Sequence, residues 1–113
     1  MDGMPGGTDV VDGQLVDAAD MIAALTAAQF VFQDGATQSF TPDGRTTYVE
    51  RGVRSAGEWS VAGDGTFASF WPPTYRATYT ARWIVEKEVP VGVSFTDTGS
   101  GVRYDGRYQS SAS

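Results

Sequence analysis

The sequence predicts an all-β domain: a small antiparallel up-and-down barrel of seven or eight strands with one N-terminal α-helix. Three observations predict it. The hydrophobic period changes from helical to two at Phe30. Turn-forming residues then recur at short intervals, at Asp34-Gly35, Pro42-Asp43-Gly44, Gly63-Asp64-Gly65 and Thr98-Gly99-Ser100-Gly101. Finally, the long run Tyr75 to Glu86 sets one face of aromatic and small residues against one of charges and hydroxyls.

The elements follow in order. Residues 1 to 14 are acidic and rich in Gly and Pro, and read as a flexible tail. Residues 15 to 109 form the domain, and 110 to 113 a C-terminal tail. "VDAADMIAALTAAQF" reads as a helix with Asp17 at the N-cap, Asp20 at N3 and Val16 stapling onto Met21. Met21, Ile22 and Leu25 form a narrow apolar stripe that Ala18 and Ala28 extend, so the helix should lie over the end or flank of a sheet.

"FVF" is the first strand-like run, and the Thr-Pro-Asp-Gly-Arg segment then joins two more. Pro42 suits the second turn position and Gly44 the left-handed one. "GEWSVAGDGTFASFW" makes another hairpin. Pro72 and Pro73 cannot donate to a ladder, which makes "WPP" a corner with Trp71 sealing a barrel end. On the long strand Tyr75, Ala77, Tyr79, Ala81, Trp83 and Val85 face inward, and Arg76, Thr78, Thr80, Arg82, Ile84 and Glu86 outward. Trp59 with Val61, Val91 with Val93 and Phe95, and Val102 with Tyr104 and Tyr108 continue the inner face, while Arg103, Asp105 and Arg107 point out. Aromatics alternating with Ala suit a closing barrel interior, where large must sit beside small.

A length of 113 residues is one domain with one core. The formal net charge of -6, carried against seven Arg and a single Lys, would repel a phosphate backbone or an anionic membrane surface. No apolar run approaches the roughly 20 residues of a membrane span. The N-terminus lacks the basic and apolar regions of a signal peptide. The expected location is therefore the cytoplasm, and the preference for Ala, Gly, Asp, Val and Arg over Lys suggests a GC-rich bacterial genome.

The helix, the run of hairpins and Gly57-Glu58-Trp59 together resemble the calycin barrels of the lipocalin and avidin type, across residues 16 to 109. In that class a G-x-W element opens a strand near the start of the barrel; here it follows about two predicted strands. The resemblance implies a cavity for a small, largely apolar molecule.

With no His and no Cys, the usual general base, thiol nucleophile and transition-metal ligands are missing. No acidic metal loop or glycine-rich phosphate loop appears, so no metal or cofactor is expected. Lys87, between Glu86 and Glu88 in a predicted bend, is a poor Schiff-base residue. Glu50, Arg51, Arg54 and Glu58 read as an outward, solvated hairpin connection. The candidate ligand-binding residues are Trp59, Tyr79, Trp83, Phe95, Tyr104 and Tyr108, because inward Tyr and Trp bring an apolar body and a polar handle into a lumen. The same face could instead be a filled core. Two other functions remain open: a metal-free cyclase, isomerase or lyase using a buried carboxylate or Tyr, and a protein-interaction or homodimer surface at Trp71, Pro72, Pro73 and Tyr75.

Overall fold

The computed structural model describes residues 10–109. One helix, α1 (Ala18–Thr26), precedes eight strands: β1 (Phe30–Phe32), β2 (Thr37–Thr41), β3 (Arg45–Glu50), β4 (Val53–Val61), β5 (Phe67–Trp71), β6 (Tyr75–Glu86), β7 (Val89–Asp97) and β8 (Arg103–Tyr108). Each strand pairs antiparallel with the next, and β8 returns to β1, so the sheet is an all-β closed barrel of eight strands. Closure runs through three residue pairs, Phe30 with Tyr108, Val31 with Arg107 and Phe32 with Gly106. No helix among the described residues is long and apolar enough to cross a membrane.

Strand β6 is the long spine of the sheet. Its first half pairs with β5 and its second half with β7, which leaves residues beyond Tyr79 without a β5 partner. The segment before the helix takes that place. Gly13 N–H donates to the Trp83 carbonyl at 2.9 Å, Trp83 N–H to Gln14 at 2.8 Å, and Val16 N–H to Ala81 at 2.9 Å. Asp12 accepts from Val85 N–H at 2.9 Å, and the Arg82 guanidinium donates to the Gly13 carbonyl at 2.9 Å. The tail expected over residues 1 to 14 thus ends in an ordered ladder at residues 12 to 14; residues 1 to 9 and 110 to 113 lie outside the described ones.

Helix α1 closes one barrel end. Asp17 holds the N-cap position in extended geometry and its carbonyl accepts from Asp20 N–H at 2.9 Å, but its side chain makes no cap bond. Met21, Ala24 and Leu25 are buried beside Val16, Phe30 and Trp59 in one core cluster. Ile22, expected in the buried stripe, is 52% exposed. Residue 24 takes its place, because the helix settles on the face centred between positions 21, 24 and 25, and Ile22 falls outside that arc.

The alternation along β6 holds with two exceptions, the first being Tyr75, expected inside but 57% exposed where the strand begins at the barrel rim. Ala81 and Trp83 are buried and Arg76, Thr78 and Arg82 exposed, but Ile84, expected on the wet face, is buried at a β-bulge between Ile84 and Val85. Two hairpins at opposite ends use two-residue turns with both residues left-handed: Arg51-Gly52 (φ 54° and 81°) and Lys87-Glu88 (φ 51° and 67°). Lys87-Glu88 fills both left-handed positions with side chains that oppose them, at a cost of roughly 1–2 kcal/mol per residue. Replacing the pair by Asn-Gly should therefore raise stability by about 1 kcal/mol, read as a higher urea midpoint at unchanged slope; no gain would show that the turn carries no strain.

Candidate functional site

The barrel interior divides into two halves at a layer of four phenylalanines. Phe40 meets Phe30 edge-on with centroids 5.8 Å apart and Phe67 at 5.6 Å, while Phe95 lies 5.6 Å from both Phe30 and Phe67. All four are buried. Such a layer fills the waist of an eight-stranded barrel, whose interior is only just wide enough for side chains or one small ligand.

Below the layer the lumen is filled. Trp59 Nε1–H donates to the Thr41 carbonyl at 3.0 Å, and its ring stands edge-on to Phe40 at 5.7 Å. The Tyr108 hydroxyl donates to the Ala24 carbonyl of α1 at 2.7 Å, tying β8 to the plug. Trp83 is 9% exposed in the same core cluster. Three of the six candidate residues, Trp59, Trp83 and Tyr108, therefore belong to the plugged half.

Above the layer lies a cavity of about 440 Å³, with Phe40, Phe67 and Phe95 as its floor. Its wall is aromatic: Phe32, Tyr48, Trp71, Tyr79 and Tyr104, with Tyr75 at the rim. Tyr79, Phe95 and Tyr104 are the candidates that meet here. Phe32, Tyr48 and Trp71 were not anticipated as site residues, although their positions two residues from Phe30, Thr46 and Ser69 on short strands put them on the inner face. Trp71, expected to seal a barrel end, instead forms part of the wall of the open one. Its ring lies edge-on to Tyr48 at 6.3 Å, and its Nε1–H donates to Ser69 Oγ at 3.2 Å. Gly57 makes this possible: a Cβ there would fall 2.5 Å from the Trp71 ring.

The cavity has a side opening as well. Because β1 ends at Phe32, residues Arg103–Asp105 of β8 have no pairing partner on that flank, and the turn carrying Gln33 and Asp34 curls beside them. Asp34 accepts from Ala36 N–H at 3.0 Å, which fixes the turn. Arg103 Nε donates to Asp105 at 2.8 Å; that bond holds the Asp105 carboxyl below its ordinary range despite partial burial and pushes Arg103 up. Asp105 and Arg103, assigned outward, thus reach the cavity at this edge.

Polar groups converge on the aromatic wall. Burial pushes the Tyr48 phenol up, and the Glu50 and Asp34 carboxylates add to the rise. Burial also raises Tyr79, with Tyr75 and Asp97 adding and the Ser69 hydroxyl opposing. Both phenols keep their protons at neutral pH and can donate or accept a hydrogen bond. Gln38 Nε2 donates to Thr46 Oγ1 at 2.9 Å, which fixes the amide beside them. No Asp or Glu is buried among the described residues, and no three of them gather as a metal site would require. A second depression of about 480 Å³ lies outside the barrel between α1 and the β2–β3 and β4–β5 turns, bordered by Ile22 and Trp59.

The fold and cavity define a meander barrel that is plugged at one end and open at the other. No protein-family model, curated protein or solved structure matches the chain.

The Tyr108 contact carries a pH prediction. Burial lifts the phenol to about 12 from an ordinary value near 10, so the folded state favours the protonated form. The resulting stability is fully present below about pH 10 and is lost as pH rises through about 12. Tyr108→Phe should cost about 1 kcal/mol at neutral pH through the lost bond to Ala24 and should lose less stability than wild type over that alkaline interval. Parallel alkaline profiles would show that Tyr108 is not the responsible group.

Proposed function

We propose that the open half of the barrel binds a small, largely apolar or aromatic molecule. The observation that carries this reading is the cavity of about 440 Å³ whose floor and wall are aromatic and whose polar groups are few and convergent. Small-ligand sites have this character: volumes of roughly 300–1,000 Å³, apolar walls and a handful of placed polar groups. Tyr48, Tyr79 and the Ser69 hydroxyl would orient the ligand, and Phe67, Trp71 and Phe95 would supply contact area.

The eight-strand meander supports the calycin-like reading of the fold. Gly57-Glu58-Trp59 sits in β4 and serves both halves: Gly57 admits the Trp71 ring above, while Trp59 packs in the plugged half below. The catalytic alternative called for a buried carboxylate or Tyr in the lumen: no Asp or Glu is buried among the described residues, while Tyr48 and Tyr79 stand on the cavity wall with phenols pushed up by burial. The interaction-surface alternative named Trp71, Pro72, Pro73 and Tyr75: Trp71 is half-buried on the cavity wall, while Pro72, Pro73 and Tyr75 are exposed.

Trp71 is the one tryptophan on the cavity wall, which makes it a local reporter. Intrinsic fluorescence titrated with naphthalene, indole, benzylamine and benzoate should change saturably for at least one of them. The response should vanish in Trp71→Phe, persist in Trp83→Phe, and weaken about fivefold in affinity in Tyr79→Leu, whose lost stacking is worth on the order of 1 kcal/mol. A response that survives Trp71→Phe, or none from any compound, would contradict the reading.

A further inference from the structure

The cavity's electrostatics are one-sided, and that narrows the class of ligand. This step rests on the cavity being the binding site. Among the residues that line it, two are carboxylates, Asp34 and Asp105, and one is a cation, Arg103. Arg103 is committed to Asp105 at 2.8 Å, so this pair largely cancels. Asp34 forms an ion pair with no cation among the described residues.

The carboxylates that act on the two wall phenols push the same way. Glu50, at the end of β3, and Asp34 raise the Tyr48 phenol, and Asp97, at the end of β7, raises Tyr79. No arginine offsets them at either ring. Arg76, the next cation along β6, lies over the outer-facing Phe70 ring at 4.2 Å and is turned away from the lumen. Around a box of aromatic faces, a surplus of carboxylates and phenol oxygens makes a negative potential, and ring faces themselves attract cations.

We propose that the ligand of this cavity is an organic cation, an alkylammonium or aromatic ammonium ion, with its charged head among Tyr48, Trp71, Tyr79 and Tyr104 and near the Asp34 carboxylate. Three features favour it over a neutral ligand. Tyr48 and Trp71 meet edge-on at 6.3 Å and Tyr79 and Tyr104 at 6.4 Å, so the cavity wall carries two angled aromatic pairs. A cation over such faces gains roughly 0.5–2 kcal/mol, the more so as it sheds water. The open side between β1 and β8 exposes Asp34 to an entering ligand, and the chain's net charge of -6 attracts cations from solution.

The test is a matched pair of probes that differ only in charge: phenyltrimethylammonium and its carbon isostere tert-butylbenzene. Each is titrated with the full chain at about 0.15 M salt, where surface attraction is screened, and followed by the proton resonance of its nine equivalent methyl protons. Ring currents in the aromatic box should move that resonance upfield. The cation should bind about tenfold more tightly than the isostere. In Asp34→Asn, which keeps the side-chain oxygen that accepts from Ala36, the preference should fall several-fold while tert-butylbenzene binding stays the same.

Equal or tighter binding of tert-butylbenzene would overturn the cation assignment and leave the cavity as a binding site for neutral molecules. No saturable shift for either probe would overturn both. A preference untouched by Asp34→Asn would remove that carboxylate from the assignment.

Discussion

Everything in this barrel depends on the phenylalanine layer at its waist. A closed sheet of eight strands leaves an interior that its own side chains nearly fill. Phe30, Phe40, Phe67 and Phe95 come from four different strands and meet in edge and tilted contacts of 5.6–5.8 Å. Each buried ring contributes roughly 1.5–3 kcal/mol of burial. Because the layer holds the opposite walls together at mid-height, the two ends of the barrel are free to differ: one can be packed solid while the other stays open.

The N-terminal segment makes them differ. Residues 12 to 16 satisfy the half of β6 that β5 does not reach, and this pairing delivers the chain to Asp17 beside the barrel end. The helix then drops Met21, Ala24 and Leu25 onto the lower side of the layer and accepts the Tyr108 hydroxyl at its last turn. Among the described residues no equivalent segment reaches the upper end. The turns there, at residues 33 to 36, 51 to 52, 72 to 74 and 98 to 102, carry polar side chains with one carboxylate, Asp34, and one cation, Arg51. The binding proposal is thus a consequence of how the stabilising material is distributed: the volume that would seal the upper end has been spent below.

Much of the fold was legible in the sequence because β structure writes its signals locally. The Pro42-Asp43-Gly44 and Gly63-Asp64-Gly65 turns, and the period-two face of Tyr75 to Glu86, each follow from neighbouring residues. The site was legible only in part. Tyr79, Phe95 and Tyr104 were found because inward aromatics are candidates, yet Trp59, Trp83 and Tyr108 carry the same signature and serve the plug. Parity tells which face a side chain takes but not how far along the axis it sits, and height relative to the layer separates wall from core. That height is set by register between strands distant in sequence, such as Phe30 with Tyr108. Ile84 and Ile22 escaped for a related reason: a bulge and a shifted helix face depend on what packs against them. Gly57 was visible only as part of a motif; its use, admitting the Trp71 ring, depends on the adjacent strand.

The central claim is that the lumen is filled below the layer and open above it, and collisional quenching by acrylamide tests this most directly. Trp59 and Trp83 lie in the filled half and Trp71 on the open wall, so wild-type fluorescence should be quenched chiefly through Trp71. The account predicts that Trp71→Phe leaves a protein that still unfolds in one cooperative urea transition and whose remaining emission is several-fold more resistant to acrylamide than wild type. Equal quenching of the two proteins would contradict it, because solvent would then reach both halves of the barrel alike or neither.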